Sequence, residues 1–242
     1  MIRVLRESWV LSQLELKKRR KWYIYPIWLF GMLFAFLIFG KGIESFTNIP
    51  KYGMFFSSGM IIFFVIIIGI FSGIKIRKNK LFLSLPISKF SIILAKIIST
   101  FLLSMQSFYV LFVLLLFFFA SISLSKILLS IPLFLFTIIV SCFFGVLLAT
   151  LFKKYAETVG SFIFLFIIFS SSLFYPIEKL SIVTKLLFYL NPFSYFVDVF
   201  RFISTGNSSM NFPFNLLLML LFGFFCIFFS SYLYDIKARK EM

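Results

Sequence analysis

Chemistry in a protein needs nucleophiles, acid–base groups or metal ligands, and this sequence is poor in all three. It has no histidine, so the commonest general base and the commonest metal ligand are missing. Its eight Asp and Glu are scattered and mostly flank apolar runs, so no carboxylate pair or metal cluster presents itself. Cys142 and Cys226 lie inside long apolar runs, where a small apolar side chain is the expected role and a disulfide is not. The serines have no histidine to activate them, and Lys153 and Lys154 stand beside no evident nucleophile. No G-x-x-x-x-G-K-[ST] occurs, so the chain cannot cradle ATP phosphates itself. Neither catalysis nor a metal or cofactor held by this chain is expected.

The elements that must position the remaining polar residues are unusual. Of the 242 residues, 62% are hydrophobic, 40 are Phe and only 13% are charged. A soluble domain has roughly 45–50% apolar and about 25% charged residues, and so much apolar surface would overfill the core of any globular domain of this size. Lipid must cover the rest, which excludes a soluble enzyme, a disordered chain and a disulfide scaffold. The apolar runs predict an all-α membrane protein with six spans, at 22–39, 53–74, 97–120, 127–152, 158–175 and 214–234. Residues 1–242 are read as one domain, with no internal repeat or linker. The first run is too long for a secretory h-region and is read as an anchor that stays.

The net charge of +16 could suggest nucleic acid, but the cations cluster at the ends of apolar runs. With six spans, eighteen of the 24 Lys and Arg fall on one side. By the positive-inside rule both termini are expected in the cytoplasm of a multi-pass cell-membrane protein, and no nucleic-acid partner is expected. Residues 1–21 are expected to form an interfacial helix with a stripe of Ile2, Leu5, Trp9 and Leu16, blurred by Val4, Leu11 and Leu14. Gly69 and Gly73 form a small-xxx-small pair, for which packing within the chain is expected over dimerisation.

Two apolar stretches do not read as spans. Between the second and third runs stands Arg77-Lys78-Asn79-Lys80-Leu81-Phe82-Leu83-Ser84-Leu85-Pro86-Ile87-Ser88-Lys89-Phe90. A short helix ending before Pro86 is expected on the cytoplasmic face, with Leu81, Phe82, Leu83 and Leu85 docked on a protein or resting on lipid. After the fifth run come Ser170-Ser171-Ser172-Leu173-Phe174-Tyr175-Pro176 and then Asn191-Pro192-Phe193-Ser194-Tyr195-Phe196-Val197-Asp198-Val199-Phe200-Arg201. The polar residues in 176–203 argue against a seventh span, since a charge at mid-bilayer costs at least roughly 2.5–3.5 kcal/mol. Two short helices dipping into the outer leaflet are expected, a re-entrant hairpin before the sixth span. Asp198 and Arg201, three apart, are placed to pair on one helix face.

These blocks resemble the membrane subunit of type-2 ABC exporters. Leu83, Pro86, Ile87, Ser88, Lys89, Leu94 and Lys96 fit that family's pattern after a leucine-rich coupling helix, with Ala95 where glycine is usual. Asn191, Pro192, Tyr195, Asp198 and Arg201 fit its Asn-Pro-x-x-Tyr-x-x-Asp-x-x-Arg signature without gaps. The resemblance implies a pair of permease chains, identical or different, seated on two cytoplasmic ATPase subunits that carry ATP-Mg. It implies ATPase coupling through Leu81, Phe82, Leu83, Leu85, Pro86, Ser88 and Lys89. A translocation pathway between the second and fifth spans of both chains makes Phe56, Ser57, Ser58, Ser170, Ser171, Ser172, Phe174, Tyr175 and Pro176 candidates for lining or gating. For the serines, helix packing stands beside substrate contact as a reading. The Phe-rich, charge-poor spans favour a hydrophobic or amphiphilic cargo, drug or lipid-like. Export of a polysaccharide or glycolipid is the alternative within the family. An ion-coupled secondary transporter would need ionisable groups mid-span, where none stands.

Overall fold

A backbone surrounded by hydrocarbon must satisfy its own N–H and C=O groups, which for long apolar runs means helix. The computed structural model describes residues 2–18, 38, 42, 52–78, 89–105, 124–171, 173–174, 181–206 and 211–240, and its secondary structure there is helical. The helices are α1 (Ile2–Lys18), α2 (Tyr52–Lys78), α3 (Lys89–Ser104), α4 (Leu124–Phe152), α5 (Ala156–Ser170), α6 (Ile182–Leu190), α7 (Pro192–Thr205) and α8 (Phe212–Lys240). Among the described residues, three helical stretches are long and apolar enough to cross a bilayer, namely Phe55–Ile76, Leu128–Ser170 and Phe212–Tyr234. A fourth arises if the bent pair α6 and α7 is taken as one span. The expected first span, 22–39, and the later part of the third, 106–120, lie outside the described residues.

α2 is the spine. Its Ile62, Phe63, Val65, Ile66, Ile70 and Ile74 are almost wholly buried, because α4, α5 and α7 all pack on it. Glycine makes the closest of these contacts. A Cβ on Gly73 would overlap the Cys142 carbonyl oxygen and stand 2.9 Å from the Gly145 Cα, while one on Gly145 would overlap the Ile70 carbonyl. The α2 and α4 backbones therefore touch, and van der Waals contact of this kind is what drives helix association where no water is displaced. The expected role of Gly69 and Gly73 within the chain is the observed one. Gly69 faces Ser141 and Gly73 faces Gly145, so the two helices run in the same direction.

The stretch Leu128–Ser170 folds back on itself. Lys153–Tyr155 form a 3-10 turn in which Lys153 adopts a left-handed φ of 47°, and α5 then returns along α2. Gly160 lies against Ile74, and Phe164 stacks 5.4 Å from Phe63. α5 ends at Ser170, short of the expected residue 175, because Ser171 turns extended and Leu173 tucks, fully buried, against Gly59.

α6 and α7 meet at an angle of 93°. Asn191-Pro192 dictates the break. Proline cannot continue α6 but suits the first turn of α7, and the Asn191 side chain caps it by accepting the Phe193 N–H at 3.0 Å. Gly206, at φ 81°, ends α7. Phe193 of α7 packs on Phe144 and Phe222, whereas Phe202 at its far end stacks on Phe212, the start of α8. The α6–α7 joint is thus packed into the bundle and the far end of α7 meets the start of α8, a bend that fits a broken span as well as a re-entrant hairpin. α8 packs on α4 and α7 by one side only, with Phe214, Leu217, Leu221, Phe224 and Phe228 more than half exposed.

One boundary differs from the sequence reading in kind. α3 begins at Lys89 rather than at residue 97, and Lys96, read as a loop cation, is 7% exposed on a helix. A carboxylate on α1 pairs with it. Where the α2 and α4 backbones touch, Gly73→Ala is expected to lower stability by about 1–3 kcal/mol through overpacking. Thermal unfolding in detergent measures this against Gly42→Ala, where an added Cβ meets nothing within 4 Å.

A candidate functional site where the hairpin meets the spine

The hairpin brings polar side chains into apolar surroundings, and each is held by a partner on another helix. Asn191 is fully buried and its Nδ2 donates to Ser170 Oγ at 2.9 Å. That hydroxyl in turn donates to the Phe166 carbonyl at 2.6 Å. Ser194 Oγ donates to the Ser170 carbonyl at 3.2 Å, one of the last acceptors of α5 that no helical N–H reaches. Asn191 and Ser194 thereby bind the start of α7 to the end of α5.

Two turns on, Asp198 and Arg201 are 0% and 1% exposed. The Asp198 carboxylate accepts from Asn215 Nδ2 of α8 at 2.7 Å. Arg201 reaches the opposite way: its Nη2 donates to the Phe55 carbonyl of α2 at 3.2 Å, and its guanidinium lies over the Phe55 ring, 3.5 Å from the centroid. A cation over an aromatic face gains about 2 kcal/mol or more once desolvated. Gly59 supplies the room, since a Cβ there would stand 2.9 Å from Arg201 Nη2 and 3.2 Å from Leu173. Asp198 and Arg201, three apart on α7, send the hydrogen bonds described above out to α8 and α2.

The start of α2 faces the chain leaving α5. Tyr52 Oη donates to the Phe174 carbonyl at 2.6 Å, and the Phe56 and Phe174 rings lie 5.8 Å apart. Phe56, Ser57 and Ser58 are buried within the chain, and Ser58 Oγ donates to the Phe55 carbonyl at 3.1 Å. Ser171 is buried as well, its hydroxyl without a hydrogen-bond partner among the described residues. Pro192 occupies the first turn of α7, and Tyr195 Oη donates to the Tyr189 carbonyl, tying α7 to α6. The structure therefore brings Phe56, Ser170, Phe174, Asn191 and Arg201 into one neighbourhood at the α2–α5–α7 junction. Ser172, Tyr175 and Pro176 lie outside the described residues, as do Leu81, Phe82, Leu83, Leu85, Pro86 and Ser88; Lys89 opens α3.

Residues 75–232, from the last turn of α2 to near the end of α8, match the model of a family described as ABC-2 family transporter protein. The chain belongs to the ABC-2 family. Membership makes it a membrane-embedded permease of an ABC transporter, in a family that is not itself catalytic and that works with an ATPase. No curated protein matches the chain. Within this ABC-2 subunit the signature residues Asn191, Asp198 and Arg201 serve as ties between helices, which spacing alone does not reveal. Sequence reasoning passed over Gly59, Ser194 and Asn215. Asn215 did carry a signal, because a lone amide in an apolar run needs a partner; Gly59 carried none, as its meaning lies in an arginine 142 positions away.

With Asn215 replaced by leucine, the buried Asp198 carboxylate loses that donor. Asn215→Leu is expected to cost about 1–3 kcal/mol, and Gly59→Ala to lower stability in the same sense by crowding Arg201. Thermal unfolding of the detergent-solubilised ABC-2 chain reads both, and wild-type midpoints in the two variants would contradict the ties.

Proposed function

We propose that this chain is the permease subunit of an ATP-driven exporter in the cell membrane. It works as a pair of permease chains on two cytoplasmic ATPase subunits, with six spans and both termini in the cytoplasm. The observation that carries this reading is the ABC-2 match across α3 to α8, in a chain with no phosphate-binding loop of its own. The concentration of Lys and Arg at particular run ends supports the orientation. ATP closes the ATPase pair, and the permease pair alternates between inward and outward access as rigid bodies about a fixed pathway. The segment 81–88, ahead of α3, docks on the ATPase; Leu83 and Pro86 are its centre. The cargo is hydrophobic or amphiphilic, drug or lipid-like. Supporting this, the buried surroundings of Phe56 and Phe174 are aromatic with hydroxyls, and charge near them is already committed to helix ties.

Detergent-solubilised chain is expected to co-purify with an ABC ATPase encoded beside it and to change that ATPase's turnover of Mg-ATP. Leu83→Asp is expected to abolish co-purification while leaving the chain's thermal midpoint unchanged. Amphiphilic dyes added to the complex are expected to stimulate turnover, whereas oligosaccharides are not. Absence of any ATPase association by the wild-type chain sinks the reading.

A further inference from the structure

α1 buries mostly polar side chains and leaves several large apolar ones exposed. Leu5, Trp9, Val10 and Leu14 on its outward side are each about half exposed. The side towards α3 carries Glu7, Ser8, Ser12 and Glu15, with Leu11 as the one fully buried apolar residue described there. Apolar burial thus contributes little to seating α1 on α3, and polar bonds must fix its place. Ser8 Oγ donates to the Ser91 carbonyl at 3.1 Å, and Ser91 Oγ donates to Glu7 Oε2 at 3.0 Å. Eight residues further along both helices, Ser99 Oγ donates to Glu15 Oε2 at 2.7 Å, and the ammonium of Lys96 pairs with Glu15 Oε1. These contacts advance along both helices in the same direction, so they specify a single register.

The Lys96–Glu15 pair is the strongest of these contacts. Its side chains are only 8% and 13% exposed, and the second carboxylate oxygen is taken by Ser99. A buried pair so satisfied resists separation, because moving one helix strands a charge on the other. A contact made only of aliphatic side chains on lipid would let α1 slide or roll against α3 at little cost.

We propose that Glu15 and Lys96 lock α1 to α3 so that the two helices move as one body through the transport cycle, making both positioning residues for the coupling of ATP hydrolysis to the membrane bundle. The inference rests on the permease reading above. α3 follows directly in sequence on the segment assigned there to the ATPase, and Lys96 lies two helical turns into it. A displacement of the start of α3 is then delivered to α1 through the lock. α3 also packs on α2 and α4, so the same displacement reaches the bundle.

The test uses the chain with its ATPase partner in phospholipid nanodiscs, reading Mg-ATP turnover with and without the chain. If wild-type chain leaves turnover unchanged, the permease reading itself fails, and this inference falls with it. Given a wild-type effect, Glu15→Lys and Lys96→Glu are each expected to lose it while the ATPase still co-purifies. The double exchange, with opposite charges restored in swapped places, is expected to regain it. A full effect in either single variant, or no recovery in the double, overturns the lock. A stranded buried charge can unfold the chain, so a second measurement leaves the pair intact. In the Ser8→Cys/Ser91→Cys chain, a disulfide across α1 and α3 is expected to leave the effect on turnover unchanged. Loss on oxidation that dithiothreitol reverses means that the helices must separate, and the inference fails.

Discussion

A polar group inside a lipid-embedded bundle has no water to fall back on, and nearly every feature of this fold answers that constraint. An unpaired amide or hydroxyl in an apolar medium costs several kcal/mol, and an isolated charge far more. Asn191, Asp198 and Arg201 are each almost wholly buried, so α7 is fixed by where their partners stand. Those partners lie on three different helices: Ser170 at the end of α5, Asn215 on α8 and the Phe55 carbonyl on α2. α7 could not shift towards any one of them without stretching a bond to another. The hairpin is held as a wedge, although α6 beside it exposes most of its apolar side chains.

Along α2 the fastening changes character with position. Near its start the contacts are polar and aromatic, built on Tyr52, Phe55 and the notch at Gly59. Further along, Gly69 and Gly73 let the α4 backbone approach to contact, and dispersion takes over. The two modes differ in what they tolerate. Polar ties break in discrete steps, each with a definite cost, whereas a glycine seam resists any separation but has no alternative partner to exchange.

Much of this was legible in the sequence because membrane helices announce themselves by length and hydropathy. The runs at 53–74, 127–152 and 214–234 correspond to α2, α4 and α8, each helix extending a few residues past its run into polar flanks. The Asn-Pro break was legible too, since proline acts on its own neighbours. Contacts between distant residues were not. Lys96 at the edge of an apolar run reads as a loop cation until Glu15, 81 positions earlier, is seen beside it. The end of α5 at Ser170 depends on a notch in α2 that admits Leu173, and Gly59 is otherwise an unremarkable glycine. Local signals carried the elements; apart from the Tyr195–Tyr189 bond at the α6–α7 joint, the ties that place them join residues well separated in the chain.

The burial of Phe56, Ser57 and Ser58 bears on how a pathway along α2 would have to open. All three side chains are buried rather than on an open face, and Phe56 lies against Phe174 of the turn after α5. Exposing them means lifting that turn, which breaks the Tyr52 bond to the Phe174 carbonyl, or tilting α7, which draws Arg201 off Phe55. Lifting the turn sacrifices that neutral hydrogen bond, worth about 0.5–1.5 kcal/mol net, and also draws the fully buried Leu173 from Gly59 and Phe174 from Phe56. Tilting α7 leaves a buried cation short of its carbonyl and its ring, and also pulls Asp198 from Asn215. Either movement therefore costs buried contacts, and displacing α7 costs the charged ones.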